Sequence, residues 1–190
     1  DVDQAIRDVR KTGCALLAGR LEGDRLAQAR EAVHRAAEED LAAGRNRDFA
    51  LDYGAGNVRV WNVLARDPLF SELVQDAAAL QILEALIGWP ALLGNLSANI
   101  TGPGAEGGAL HADQVFVPEP WPSAPQGLNL AWCLDAFTDA NGGTRVVPGS
   151  HQVSRNPHPE EAAGALPVEA PAGTLLILDS RTWHRTGENR

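Results

Sequence analysis

The sequence lacks methionine altogether, even at position 1, and it has only two cysteines, Cys14 and Cys133. Two widely separated thiols cannot build a Cys-rich zinc module or a disulfide-dense secreted scaffold. They are expected to be buried and free, as in a protein of the reducing cytoplasm. Basic residues are also in short supply, with 16 Lys and Arg against 25 Asp and Glu and a net charge of −9. Sequence-independent nucleic-acid binding needs clustered cations that displace counterions, and an anionic membrane surface makes the same demand, so neither is expected as a partner. No apolar run approaches the roughly 20 residues that span a bilayer. The start, Asp1-Val2-Asp3-Gln4, has neither the basic region nor the apolar core of a signal peptide. The absent methionine, together with an end at Arg190 directly after a motif-like run, suggests that both natural termini lie outside these 190 residues.

What remains is a length and composition suited to one domain, residues 1–190, with a single sizeable core. Residues 1–90 read as a mainly helical layer. From Gly23-Asp24 onward, Leu26, Ala29, Val33, Ala36, Ala37 and Leu41 recur at helical spacing. Asp67 as N-cap with Pro68 at the first helical position opens another helix, which is expected to run through Leu86 and stop at Gly88. Between them, residues 57–63 alternate like a strand. From about residue 91 the period shortens to two. Short strands are expected at 93–100, 109–117, 127–136, 143–147, 166–169 and 174–178, separated by turns such as Gly102-Pro103-Gly104 and Pro148-Gly149-Ser150. Many short, evenly spaced strands suggest a double-sheet sandwich or jelly roll, mainly β with flanking helices. The Pro-, Glu- and Ala-rich residues 155–164 read as a surface loop.

The chemistry centres on Leu110-His111-Ala112-Asp113-Gln114. On a strand, His111 and Asp113 would project from one face and could hold a single metal ion. A third ligand must come from elsewhere, and His184, just beyond the apolar strand at 174–178, is the natural donor. Two His and one carboxylate on one side of an ion leave positions open for O₂ and a cosubstrate, the arrangement of non-haem iron(II) oxygenases. A lone His-x-Asp pair is common, so the surrounding motifs matter. Pro148-Gly149-Ser150-His151 reads as a structural turn, and Asn141-Gly142-Gly143 as hairpin architecture.

Together His111-Ala-Asp113, Asn141-Gly-Gly-Thr-Arg-Val-Val-Pro-Gly-Ser-His151 and His184-Arg-Thr-Gly-Glu-Asn189 resemble the signature of the phytanoyl-CoA dioxygenase-like family, over about residues 57–190. That resemblance implies a double-stranded β-helix (cupin-like jelly-roll) core and an Fe(II)- and 2-oxoglutarate-dependent dioxygenase using O₂. His111, Asp113 and His184 would be the iron ligands. It also implies an Arg for the far carboxylate of 2-oxoglutarate about eleven residues after His184, beyond the last residue given; Arg190 is the nearest substitute. Thr186 matches a hydroxyl residue that binds that carboxylate, and Trp132 an aromatic lining the cosubstrate site. In family relatives that halogenate, a small residue replaces the carboxylate, so Asp113 favours hydroxylation, desaturation or cyclisation.

Alternation along residues 95–101 puts Asn95, Ser97, Asn99 and Thr101 on one face, with Asn99 a candidate for the cosubstrate pocket. Arg59, Trp61 and Gln114 are candidates for the substrate side. No basic cluster near the motifs forms a cradle for phosphate or coenzyme A. The Ala- and Arg-rich, Lys-poor composition suggests a bacterial source and a small secondary metabolite as substrate. The competing readings are a zinc or manganese jelly roll doing redox-neutral chemistry and a binding module without turnover. Oligomeric state is not encoded in any feature of the sequence.

Overall fold

The computed structural model describes residues 1–45 and 56–190. Helix α1, Val2–Thr12, is capped by the Asp1 carboxylate, which accepts from the Gln4 amide at 2.7 Å. It ends at Gly13, whose φ of +86° places it in the left-handed region that L side chains avoid. The chain then reverses into strand β1, Cys14–Leu17, which no alternation in the sequence had announced. Helix α2 spans Gly23–Ala42 and buries Ala29, Val33 and Ala36 of the expected stripe, with Ala32 beside them, whereas Leu41 at its end is 75% exposed.

The single helix expected after Asp67 is two. Helix α3, Pro68–Leu73, is capped by Asp67; helix α4, Ala77–Ile87, starts afresh with Asp76 accepting from the Ala79 amide at 2.9 Å. Asp76 also pairs with Arg20, so a second N-cap held from outside interrupts a stretch whose apolar period is continuous.

Strands β2 (Asn57–Val60) and β3 (Ala98–Thr101) form an antiparallel pair. Their apolar face, with Val60, Leu96, Ala98 and Ile100, packs on α2 and α3. Strand β4 is Leu128–Trp132, β5 Thr144–Val146, β6 Leu166–Pro167, β7 Leu175–Asp179 and β8 His184–Thr186. They pair antiparallel as β1-β7-β4 and β6-β5-β8. Strand β7 is buried along its whole length, with Leu175 and Ile177 fully excluded from solvent. Its two faces serve two cores, which explains an apolar run without alternation. Leu175 and Ile177 face α1 and α4, whereas Leu176 and Leu178 pack with Cys133, Val146, Val168 and Ala170 between the sheets.

Two antiparallel sheets packed over a shared core, with helices outside one of them, match the expected jelly-roll architecture. The strands are shorter than the sequence pattern suggested. The expected strand at 109–117 is absent: only His111 makes a ladder bridge, and a 3₁₀ turn follows at Gln114–Phe116. No described helix is long and apolar enough to cross a membrane. Both cysteines are free; Cys133 is buried, and burial pushes its thiol up to about 12, whereas Cys14 is only partly buried.

Candidate metal centre

His111 and His184 are antiparallel neighbours that exchange both backbone hydrogen bonds, at 3.0 and 2.8 Å. Their rings stand side by side with centroids 4.4 Å apart. In each, Nδ1 lies 2.9 Å from the carbonyl two residues earlier, Ala109 for His111 and Thr182 for His184. A carbonyl can only accept, so each Nδ1 carries a proton and donates; Nε2 then offers a lone pair when the ring is neutral and an N–H toward Asp113 when it is protonated.

Both Nε2 atoms aim at one carboxylate. Asp113 Oδ1 lies 3.5 Å from His111, and Oδ2 lies 3.3 Å from His184. All three ligand atoms fall within 4.8 Å of one another, the one such group found among the described residues. Alternation along a strand is not what joins His111 to Asp113. Asp113 has φ −95° and ψ −6°, and its amide and that of Gln114 both donate to the Ser180 carbonyl, at 2.8 and 3.0 Å. The chain therefore bends back after His111, and the segment between β7 and β8 clamps the bend.

The electrostatics match three groups sharing one small space. Burial alone would raise the Asp113 carboxyl, but the hydrogen bond and charge of His184, the charge of His111 and the Asn129 amide hold it at about 2. Burial likewise opposes charge on His184, yet Asp113 outweighs it and the His184 pKa is raised. His111 goes the other way: burial and then the neighbouring His184 push it down, against the Ala109 carbonyl and Asp113. With both rings neutral, the Asp113 oxygen and the two Nε2 lone pairs form a donor set that suits a divalent first-row metal ion.

Asn129 on β4 is the contact that the sequence reading missed. Its amide donates to Asp113 Oδ2, the oxygen that faces His184, and so helps to fix the carboxylate. The available signal was a lone polar residue between Leu128 and Leu130 in an otherwise apolar strand. Behind the site, Ser150 accepts from the Trp183 amide at 2.8 Å and donates to the Val147 carbonyl, and His151 contacts the Arg10 carbonyl, so this turn is structural as expected.

Other sequence-derived candidates divide. Thr186 lies two residues after His184 on the same face of β8. Asn99 lies on the polar face of β3, opposite the helices, paired with Arg59. Trp132 is not at the metal centre: it aligns with Leu175 and packs against the helical layer, on the side of the sheet away from Asn129. Arg190 is exposed at the surface, where its guanidinium donates to Asp139 at 2.9 Å. Gln114 is fully buried and takes the Gln126 amide and the Ser180 hydroxyl, a bracing role rather than a substrate contact.

Comparison with known proteins gives relatives in both sequence and fold. A curated relative, "Dioxygenase af480" of Aspergillus fumigatus, is 38% identical over 142 residues, covering 73% of this chain but 46% of its own. The chain thus spans less than half the length of that relative. Among solved structures, AviO1 from Streptomyces viridochromogenes superposes with a TM-score of 0.76 at 25% identity, covering 100% of this chain and 88% of its own. The non-haem α-ketoglutarate-dependent epimerase SnoN from nogalamycin biosynthesis shares the fold, with a TM-score of 0.71 at 21% identity over 99% of this chain and 76% of its own. The phytanoyl-CoA dioxygenase family profile matches residues 9–190. With that match over nearly its whole length, the chain belongs to the phytanoyl-CoA dioxygenase family of non-haem iron and 2-oxoglutarate oxygenases.

Proposed function

We propose that this chain carries the catalytic centre of an Fe(II)- and 2-oxoglutarate-dependent oxygenase that oxidises a small organic molecule, with His111, Asp113 and His184 as the metal ligands. The observation that carries this reading is the shared orientation of the two histidines: each Nδ1–H is tied to a carbonyl at 2.9 Å, so both Nε2 atoms converge on the same carboxylate. Three ligands from one side leave room for cosubstrate and O₂. When bound, iron and 2-oxoglutarate supply the oxidising power, with O₂ consumed and succinate and CO₂ released.

The protein's own part is placement. Asp113 supplies the negative charge, and Asn129 keeps the carboxylate turned toward the histidines. Thr186 offers a hydroxyl on the His184 face for a cosubstrate carboxylate, and Asn99 a polar group on the facing wall. The intact carboxylate favours hydroxylation, desaturation or cyclisation, and the fold shared with SnoN, from nogalamycin biosynthesis, fits a small secondary metabolite as substrate. Free thiols fit a reducing compartment such as the cytoplasm.

The test is succinate formation by purified protein with Fe(II), 2-oxoglutarate and air, with and without candidate substrates. Asp113→Ala should weaken iron binding and lower turnover by at least about a hundredfold, more than loss of an outer hydrogen bond removes. Protein that binds iron tightly yet never decarboxylates 2-oxoglutarate would remove the oxygenase reading.

A further inference from the structure

The bend that carries Asp113 leaves most of its side chains open to solvent. Asp113 is 39% exposed, and Val115 and Phe116 are exposed, whereas Gln114 between them is fully buried. The side chain that plugs this bend into the protein is therefore polar. Its Oε1 accepts twice, from the Gln126 amide and from the Ser180 hydroxyl, each at 2.9 Å. Its Nε2 has no partner among the described residues. A buried amide with one end unpaired is destabilising, and a methionine of similar size would avoid that cost. Filling space is thus not what calls for glutamine here; the twice-bonded Oε1 is. The partners of that oxygen close a circuit. Ser180, 3% exposed, directs every polar group it has to the same joint. Its carbonyl takes the Asp113 and Gln114 amides, its hydroxyl donates to Gln114, and its amide donates to the Gly127 carbonyl at 3.1 Å. Residues 126 and 127 lead directly into β4, where Asn129 donates to Asp113 Oδ2. From Asp113 the contacts run through Gln114 to residues 126–127, along the chain to Asn129, and back to the Asp113 carboxylate.

We propose that Gln114 is a positioning residue for the metal centre: with Ser180 it registers the start of β4 to the bend, so that Asn129 meets Asp113 and the carboxylate faces both Nε2 atoms. It acts through Asn129 and Asp113, not through a contact of its own with the metal. The proposal rests on the reading of His111, Asp113 and His184 as metal ligands, and the experiment keeps the two apart.

Co(II) titration followed by visible absorption, run beside urea unfolding of the metal-free protein, tests it. Gln114→Met keeps the volume and removes the acceptor. It should weaken Co(II) binding about tenfold, the lower end of the range for outer contacts of metal ligands, and shift the absorption of the bound ion. Ser180→Ala removes the hydroxyl but keeps the carbonyl clamp, and should weaken Co(II) binding about threefold, as expected for one neutral hydrogen bond. In an Asn129→Ala background Gln114→Met should cost no more than about twofold further, because the contact it sets is already gone. A Gln114→Met protein that is less stable to urea, yet binds Co(II) with parental affinity and absorption, makes Gln114 a packing residue and overturns the proposal. A full tenfold loss in the Asn129→Ala background overturns the route through Asn129, and the proposal with it. If Gln114→Met does not fold, Ser180→Ala decides, and parental Co(II) affinity there is equally fatal. A parent protein that binds no Co(II) removes the metal-centre reading and this proposal together; a parent that binds it, with unaltered variants, removes this proposal alone.

Discussion

The two histidines of the centre have the same local contact and opposite surroundings. His184 follows a segment, residues 179–183, in which every residue is buried, and its side chain is 12% exposed. His111 stands on irregular chain between Gly107-Gly108 and a 3₁₀ turn, and its side chain is 41% exposed. One ligand is an outgrowth of the core; the other is brought to it. The difference assigns each half its work. The buried half sets the position of the centre, and the open half leaves room for what must enter and react. Breaking the first should cost stability, and altering the second should cost ligand binding.

The largest effect is expected at the connector between β7 and β8. Arg181 donates from Nε and a terminal nitrogen to both oxygens of Asp179, at 2.9 and 2.6 Å, and also donates to the Pro122 and Ser123 carbonyls. Both residues are at most 5% exposed. Removing one partner strands a buried charge, so Arg181→Leu should lower unfolding stability by about 3–5 kcal/mol. Urea denaturation of the metal-free protein checks this. A loss within about 0.5 kcal/mol, the range of ordinary surface changes, would mean that the connector is not the anchor.

Next comes Asn129, where the two halves meet, because β4 pairs with buried β7 while the Asn129 amide holds Asp113. Asn129→Ala should weaken metal binding about 10- to 100-fold, the range for outer contacts of metal ligands, with only a small change in stability. Co(II) titration followed by its visible absorption reads it. Unchanged affinity would show that the Ser180 clamp alone orients the carboxylate.

The same contrast explains what was legible in the sequence. Residues 174–178 announced a strand because a run buried on both faces is apolar throughout, and the α2 stripe was plain because one face packs. His111, Asp113 and His184 were found from residue type and motif order, although the strand geometry invoked for the first two does not exist. The bend at Asp113 depends on the Ser180 carbonyl, 67 residues away, and no local pattern reports a partner that distant. Trp132 shows the converse: an aromatic in the right strand, turned to the other face by a pairing register that composition does not carry. The break between α3 and α4 was hidden because Asp76 reads as an ordinary helix-surface residue until Arg20 is seen beside it.

A smaller effect on stability is expected on the open side. Phe116 is 66% exposed, so Phe116→Ala should change stability by no more than about 0.5 kcal/mol. Thermal unfolding of the metal-free protein measures it. A loss of about 3 kcal/mol or more, the cost of emptying a core aromatic site, would place Phe116 in the core and dissolve the division between the halves.

The smallest effect concerns the outer cover of the buried half, and it depends on pH. Trp183, adjacent to His184, donates from its indole to the Arg155 carbonyl at 2.9 Å, and the Arg155 guanidinium lies over its ring at 4.9 Å. Arg155 is in turn held by both oxygens of Glu161, each at 2.9 Å, so the loop that reads as loose in sequence is tied to the residue beside a ligand. The Arg155 hydrogen bonds, with that of the His158 amide, hold the Glu161 carboxyl at about 2, well below its ordinary 4.5. A carboxyl depressed by folding stabilises the native state fully above its unfolded value, and that contribution fades as pH falls toward the folded value. Urea-unfolding curves of the parent protein and Glu161→Gln should therefore differ above about pH 5, with the parent more stable, and converge as pH approaches 2. Partial solvent exposure keeps the difference small. A constant difference across that range would assign the effect of Glu161→Gln to altered packing rather than to charge, and detach the loop's charge from the support of Trp183.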